Sequence, residues 1–341
     1  MRLLVIGGTV FLGKAFVADA LGRGWQVTTF HRGRSGADLP GVETITGDRE
    51  DEVDLARLAA AGPWDAVVDV CGYVPRVVGA SARALSRQAG GTYLYISSIN
   101  ALEPWPAAPV DDASPRFACS PDAGPDAGQY SALKAGCERA VERHFGGRVL
   151  VLRPGVVIGP GDRMRRIPYW LRRAAQGGRM LTPGPPGRTM QLIDARDIAA
   201  FGLDRVAAGG SGTYLTTGEP ANATWGELVE EAVSLTKAGT EPVWMEDAFL
   251  AAQQIPPFVT VPFWAPPVEQ LAAVWDFSSK KALEDGLRCR PFAESVRDTW
   301  TWMTEQGGMD EAFAEYRYPD QTLTREREVQ ILAAWDARDS G

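Results

Sequence analysis

The first residues of the chain allow few folds. Arg2-Leu3-Leu4-Val5-Ile6 runs directly into Gly7-Gly8-Thr9-Val10-Phe11-Leu12-Gly13. A short apolar run that ends in paired glycines and continues as an amphipathic segment reads as a strand turning sharply into a helix. Such a turn aims backbone N–H groups and the positive end of a helix dipole at one point, an arrangement suited to a pyrophosphate. Gly7 permits the tight turn and Gly13 permits close packing of helix on strand, while Gly8 and Thr9 supply further N–H donors. Val10 stands where a middle glycine is usual, but its amide can still donate. A glycine pattern alone is weak evidence; the strand before it and the helix after it provide the context it needs. Residues 7–13, Phe11 and Leu12 included, are therefore expected to hold a dinucleotide.

The pattern continues as an alternation of strands and helices. Leu12–Leu21 reads as a helix, and Gln26–Phe30, Val42–Thr46, Ala66–Val70, Tyr93–Ile96 and Val149–Leu152 read as strands. Helical stretches at Leu55–Ala61, at Val77–Gln88 and around Tyr130 separate them. Apolar strands joined by helices predict an α/β protein of the Rossmann type, with a doubly wound parallel sheet. Ligands of such sheets bind beyond the carboxyl ends of the strands, where the glycine turn, TFHRGR, GDRE, DVCGY and ISSIN all fall. The dinucleotide domain is expected over residues 1–153, with a returning segment near 189–204 in which Gln191–Ile193 adds a strand to the main sheet. Residues 154–341, rich in Pro, Gly and Trp, are expected to form a smaller, irregular substrate domain. It includes a helix at Thr224–Lys237 and ends in a helical tail capped by Thr324, with Val329, Leu332 and Ala333 as its apolar face.

Charge narrows the partners. A net charge of -8 and a pI near 5.0 disfavour nucleic acid and anionic membrane surfaces, which select basic proteins. No apolar run approaches the roughly 18 residues of a membrane span, and the apolar run after Met1 is too short for a secretory leader. Cys71, Cys119, Cys137 and Cys289 lie far apart, and His31 and His144 are the only histidines. Scattered thiols suit a reducing cytoplasm, and no ligand spacing for a metal is present. The Gly-, Ala- and Arg-rich composition suggests a GC-rich bacterial source and a role in biosynthesis.

The end of the second strand bears on the cofactor. NAD-binding folds usually place an acidic residue near there to accept from the ribose hydroxyls. This chain has Arg32 and Arg34, whose charge and fork geometry match a 2′-phosphate, so NADP(H) is favoured over NAD(H). Two solvated surface arginines are the alternative. After the third strand, Asp48, beside Arg49, is placed to accept from the adenine amino group.

Tyr130 and Lys134 lie one turn apart on one helix face. An ammonium beside a phenol favours the phenolate, which suits proton exchange. Ser97 and Ser98 close a strand at the ligand edge of the sheet, where a serine hydroxyl can bind a substrate oxygen.

Together GGTVFLG, ISSIN, YSALK and RPGVVIGPGD resemble the short-chain dehydrogenase/reductase superfamily in its extended NAD-dependent epimerase/dehydratase branch. The resemblance spans about residues 1–300. It is closest to an atypical subgroup that includes chloroplast stem-loop-binding-like proteins, in which a bulkier residue at the position of Val10 is normal. The resemblance implies Ser98, Tyr130 and Lys134 as the catalytic triad, with Ser97 beside the cofactor. It further implies that Cys71, Gly72 and Tyr73 line the nicotinamide side, with Arg153, Pro154, Val156 and Val157 at the strand end beside the carboxamide. Asp194 and Asp197 read as caps. Sugar dehydratases of this branch carry Thr-Asp-Glu where this chain has Ser98, Ile99 and Asn100, which argues against 4,6-dehydration.

These readings favour an NADP(H)-dependent reductase acting on a carbonyl or imine of a small biosynthetic intermediate. The alternatives are a nucleotide-sugar epimerase with retained NAD and, lower in weight, a non-catalytic nucleotide- or RNA-binding homologue. Candidate substrate contacts are Asn100, Arg163, Arg166 and Trp264. The cluster Arg163, Arg165, Arg166, Arg172 and Arg173 suits a diphosphate or a carboxylate, or equally a solvated helix face. The stretch around Trp244, Phe258 and Trp264 suits an apolar pocket or lid, or plain core. A homodimer through the Tyr130 helix and its neighbour is the expectation such a superfamily suggests; Cys137 and Val141 read as lying near an outer face of that helix, and a buried role within the single chain explains them as well.

Overall fold

The structure is a computed structural model and describes residues 1–86, 91–313 and 320–338. The first half consists of β1 (Arg2–Ile6), α1 (Phe11–Gly22), β2 (Gln26–His31), β3 (Glu43–Thr46), α2 (Glu52–Ala60), β4 (Ala66–Asp69), α3 (Pro75–Leu85), β5 (Thr92–Ile96), α4 (Tyr130–His144) and β6 (Arg148–Pro154). Residues 87 and 88, the expected end of the third helix, lie outside the described residues. The second half holds β7 (Val156–Ile158), α5 (Arg166–Ala174), β8 (Gly178–Pro183), β9 (Thr189–Met190), β10 (Leu192–Asp194), α6 (Ala195–Ala207), β11 (Gly212–Thr216), β12 (Ala223–Thr224), α7 (Trp225–Thr236) and β13 (Thr240–Met245). It ends with α8 (Asp247–Ala252), α9 (Lys280–Glu284), α10 (Phe292–Glu305), α11 (Gly308–Phe313) and α12 (Arg325–Ala337).

Seven parallel strands form the central sheet in the order β11-β6-β5-β4-β1-β2-β3. The chain starts mid-sheet, winds outward through β2 and β3, then crosses back to β4, so the switch point lies between β1 and β4. β1, β4 and β5 are buried almost throughout, because helices cover both faces. Phe16, Val17, Ile198 and Phe201 from α1 and α6 pack on one face. Val78, Leu85, Cys137 and Val141 from α3 and α4 pack on the other.

The structure corrects several expectations. The segment near 191–193 does not join the main sheet: β10 pairs with β7 in a separate two-stranded ladder. The seventh strand is β11 instead, paired with β6. Cys137 and Val141 are fully buried against the sheet and offer no outer face. The outside of α3 and α4 is covered by the chain itself: Arg139 donates to the Phe117 carbonyl, Arg143 pairs with Asp122, and the Arg76 amide donates to the Ala123 carbonyl. In α12 the buried residues are Glu328, Ile331 and Leu332, while Val329 is 51% exposed. Thr324 does cap that helix, accepting from the Arg327 amide. No helix among the described residues is long and apolar enough to cross a membrane.

Candidate active site

Val10 caps α1 in an extended conformation without any side-chain capping bond, and the first turn holds no acidic residue. The amides at this end are therefore not occupied by a capping side chain. Gly8 has φ +102°, and a Cβ there would lie 2.8 Å from the Thr29 side chain. A Cβ on Gly13 would lie 2.8 Å from the Gly8 nitrogen, so the turn closes on the helix only with glycine at this position. Val10 itself is half-buried and crowds neither contact.

The loop after β2 folds back over this turn, bringing the Ser35 hydroxyl to 3.5 Å from that of Thr9. At the end of β2, His31 accepts from the Gly33 amide through Nδ1 (3.0 Å) and faces Asp38 through Nε2 (2.8 Å). That pairing assigns the proton to Nε2. Asp38 also accepts from the hydroxyls of Thr29 and Thr44, both at 2.7 Å. Burial raises its pKa, but the donors from Thr44, Thr29 and His31 outweigh burial and hold the carboxyl below its ordinary range. The sequence reading did not find Asp38. The acid of this loop thus orders the loop, while Arg32 and Arg34 are exposed, with Arg32 3.9 Å from Asp48.

The Arg49 side chain is 11% exposed and forms a two-pronged ion pair with Asp69 (2.9 and 2.6 Å). Its Nε also donates to Ser81, and the Tyr93 hydroxyl donates to Asp69. Burial pushes the Asp69 carboxyl up, yet Arg49 holds it below the usual range. This pair ties the end of β3 to the Cys71-Gly72-Tyr73 segment, and Cys71 is half-buried beside it.

Lys134 points at the sheet edge. Its Nζ donates to the carbonyls of Ile96 (2.6 Å) and Gly72 (3.0 Å), 4.5 Å from the Tyr95 ring centre. Burial brings its pKa down to about 8, against the opposing pull of Cys137, Asp69 and Glu138. Tyr130, one turn earlier, is 45% exposed, and its ring faces that of Tyr73 at 6.4 Å. The two serines diverge, as neighbours at a strand end do. Ser98 accepts from the Asn100 amide (3.2 Å) and side chain (3.1 Å). Ser97 turns inward and donates to Glu138 at 2.5 Å.

Glu138 is a second residue that the sequence reading did not find. It is fully buried one turn after Lys134 and accepts from Ser97, from Arg153 through two nitrogens (2.9 and 2.8 Å), and from Arg116 (3.0 Å). The carboxylate thereby joins α4, the end of β5, the end of β6 and the loop before α4. Its one-turn spacing from Lys134 was the available signal. Pro154 ends β6, and Val156 and Val157 open β7 directly after it.

The structure does not gather the substrate-side candidates into one site. Arg163 pairs with Glu311 at 2.9 Å, and Arg166 donates to the Val157 carbonyl at 2.6 Å. Arg173 pairs with buried Glu328, while Arg172 stacks on Phe313 and lies 3.6 Å from Asp320. Arg165 is buried and caps α5 in a left-handed conformation. Trp264 is fully buried and donates to Asp247, so it belongs to the core of the second domain.

The chain matches the model of the NAD dependent epimerase/dehydratase family over residues 3–206. No curated protein matches it. Among solved structures, the fold is similar to the Bordetella bronchiseptica enzyme WbmH in complex with NAD+, at 17% identity and TM-score 0.68, over 90% of this chain and 99% of that one. It is also similar to the UDP-glucose 4-epimerase of Thermotoga maritima with UDP-glucose, at 17% identity and TM-score 0.64, over 90% and 99%. The UDP-N-acetylglucosamine 4-epimerase of Bacillus cereus is a third, at 17% identity and TM-score 0.65, over 89% and 97%. At such identities the likeness is one of fold.

Proposed function

The chain belongs to the NAD dependent epimerase/dehydratase family, and from that premise we propose an enzyme that moves a hydride to or from the alcohol or carbonyl carbon of a small molecule. One observation carries this reading: the buried Lys134 ammonium, held by Ile96 and Gly72 one turn below exposed Tyr130. The uncapped start of α1 and the cradle of Gly8 and Gly13 fit a dinucleotide, with Tyr73, Lys134 and Ser98 at its far end. A nicotinamide cofactor supplies or accepts the hydride when bound. Tyr130 exchanges the proton at the substrate oxygen, Ser98 orients that oxygen, and Lys134 keeps positive charge beside both. Asn100 brings no carboxylate to this place, which leaves out dehydration by an acid–base pair.

The family and the epimerases of similar fold favour a hydride that leaves and returns on a retained NAD, with inversion of a carbinol centre. The second reading is net reduction by exchangeable NADP(H). It rests on exposed Arg32 and Arg34 in a loop whose acid, Asp38, is already committed. The absorbance spectrum of the protein as isolated, followed by calorimetric titration with NADPH and NADH, separates them. Retained NAD that does not exchange supports epimerisation. NADPH binding at least tenfold tighter than NADH to a cofactor-free protein supports reduction. Failure to hold or bind either overturns the hydride-transfer proposal, as does full turnover by Tyr130→Phe.

A further inference from the structure

The short helix α11 belongs to the second domain, yet it reaches the helix that starts at the glycine turn. It is pinned at both ends: a Cβ on Gly308 would lie 2.4 Å from the Trp302 ring, and the Arg172 guanidinium stacks on Phe313. Ala312 is fully buried in the core of that domain. Between these anchors, Glu311 shares its carboxylate between two cations from distant parts of the chain, Arg163 at 2.9 Å and Lys14 of α1 at 3.8 Å.

Both cations stand near the start of α1. Lys14 follows Phe11, the first residue of that helix, by three positions and so shares its face. Arg163 leaves a loop that crosses the helix start: a Cβ on Gly161 would lie 3.3 Å from the Phe11 Cα and 3.6 Å from the Phe11 nitrogen, the first amide of α1. Asp162, fully buried, accepts from the Met164 and Arg166 amides and fixes that loop. The uncapped amides that suit a pyrophosphate therefore have two cations beside them, and both face one carboxylate. Glu311 differs from Glu328, the partner of Arg173, because its side chain is 24% exposed against 2%. A carboxylate in reach of water gives up a cation at small cost, and a buried one does not.

We propose that Glu311 is a gate on the dinucleotide: it competes with the cofactor's pyrophosphate for Lys14 and Arg163, and so sets how tightly and how long the cofactor is held. A negative charge near the phosphates opposes them, and its removal frees both cations. The inference rests on the hydride-transfer reading, which takes this helix start as the dinucleotide site.

Glu311→Gln keeps the size of the side chain and removes its charge. Calorimetry of the full chain with NADPH and NADH at low ionic strength is expected to show the preferred dinucleotide bound about fivefold tighter or more than by the native chain. Where the protein is isolated with NAD, the same substitution is expected to slow the loss of that NAD on dialysis by a similar factor. Lys14→Met removes one of the contested cations and is expected to move affinity or retention the opposite way. Asp310→Asn removes an exposed charge from the same helix, one with no ion pair among the described residues, and is expected to change neither. Unchanged or weaker binding by Glu311→Gln, an equal gain in Asp310→Asn, or a Lys14→Met chain that binds as the native one does overturns the gate. A native chain that neither binds nor retains a dinucleotide overturns the hydride-transfer reading as well, which separates the two failures.

Discussion

Arg32 and Arg34 at the end of β2 and the arginines of residues 163–173 look alike in sequence, and the fold uses them differently. The first two stand in solvent beside an uncapped helix start, with Arg32 3.9 Å from Asp48. In the second group, Arg173 is 5% exposed and paired with Glu328, and Arg163 holds Glu311, so these charges fasten helices of the second domain together. An arginine left in water can offer its fork to a ligand. One already facing a buried carboxylate cannot do so without leaving that carboxylate alone in a low-dielectric interior.

The largest effect is expected where a buried pair is broken. Glu328→Ala removes the acceptor of Arg173, Arg325 and the Leu181 amide. Urea unfolding should show a loss of ~3–5 kcal/mol, with cofactor affinity unchanged. A small loss would place Arg173 with the solvated arginines. Lys134 falls in neither group, being buried but held by carbonyls instead of a carboxylate. Its pKa is lowered from 10.5 to about 8, so the unfolded chain binds this proton more tightly than the folded one. The lysine therefore weakens folding fully below about pH 8, and this cost is relieved as pH rises from 8 towards 10.5. Lys134→Met lacks that dependence. Its stability relative to the native chain should fall across the window by roughly 1–3 kcal/mol, and a flat difference between the two urea curves would show that burial does not lower the pKa of this lysine, which then stays charged in the fold. The smallest effect is at the exposed pair. Arg32→Ala with Arg34→Ala should weaken NADPH about tenfold, or about 1.4 kcal/mol, leave NADH unchanged, and shift stability by no more than about 0.5 kcal/mol. Equal loss for both cofactors would remove the 2′-phosphate argument.

The candidate site was legible in its placement on the fold where it is local. The glycine turn, the strand ends and the Tyr130–Lys134 turn each show in a few consecutive residues, because strand and helix periodicity place them on one edge. Asp38 and Glu138 were not legible. Asp38 acquires its role only when β2 and β3 align and bring Thr29 and Thr44 to it. Glu138 acquires its role only when the ends of β5 and β6 meet α4.

Periodicity and turn chemistry alone placed the parallel sheet, its glycine turn and the helix with Tyr130 and Lys134, since those depend on neighbours in the chain. The partner of each charge and the ladder that β10 joins were settled by packing. Ion pairs and cavities are made between segments distant in the chain, and they leave no mark in the residues on either side of them.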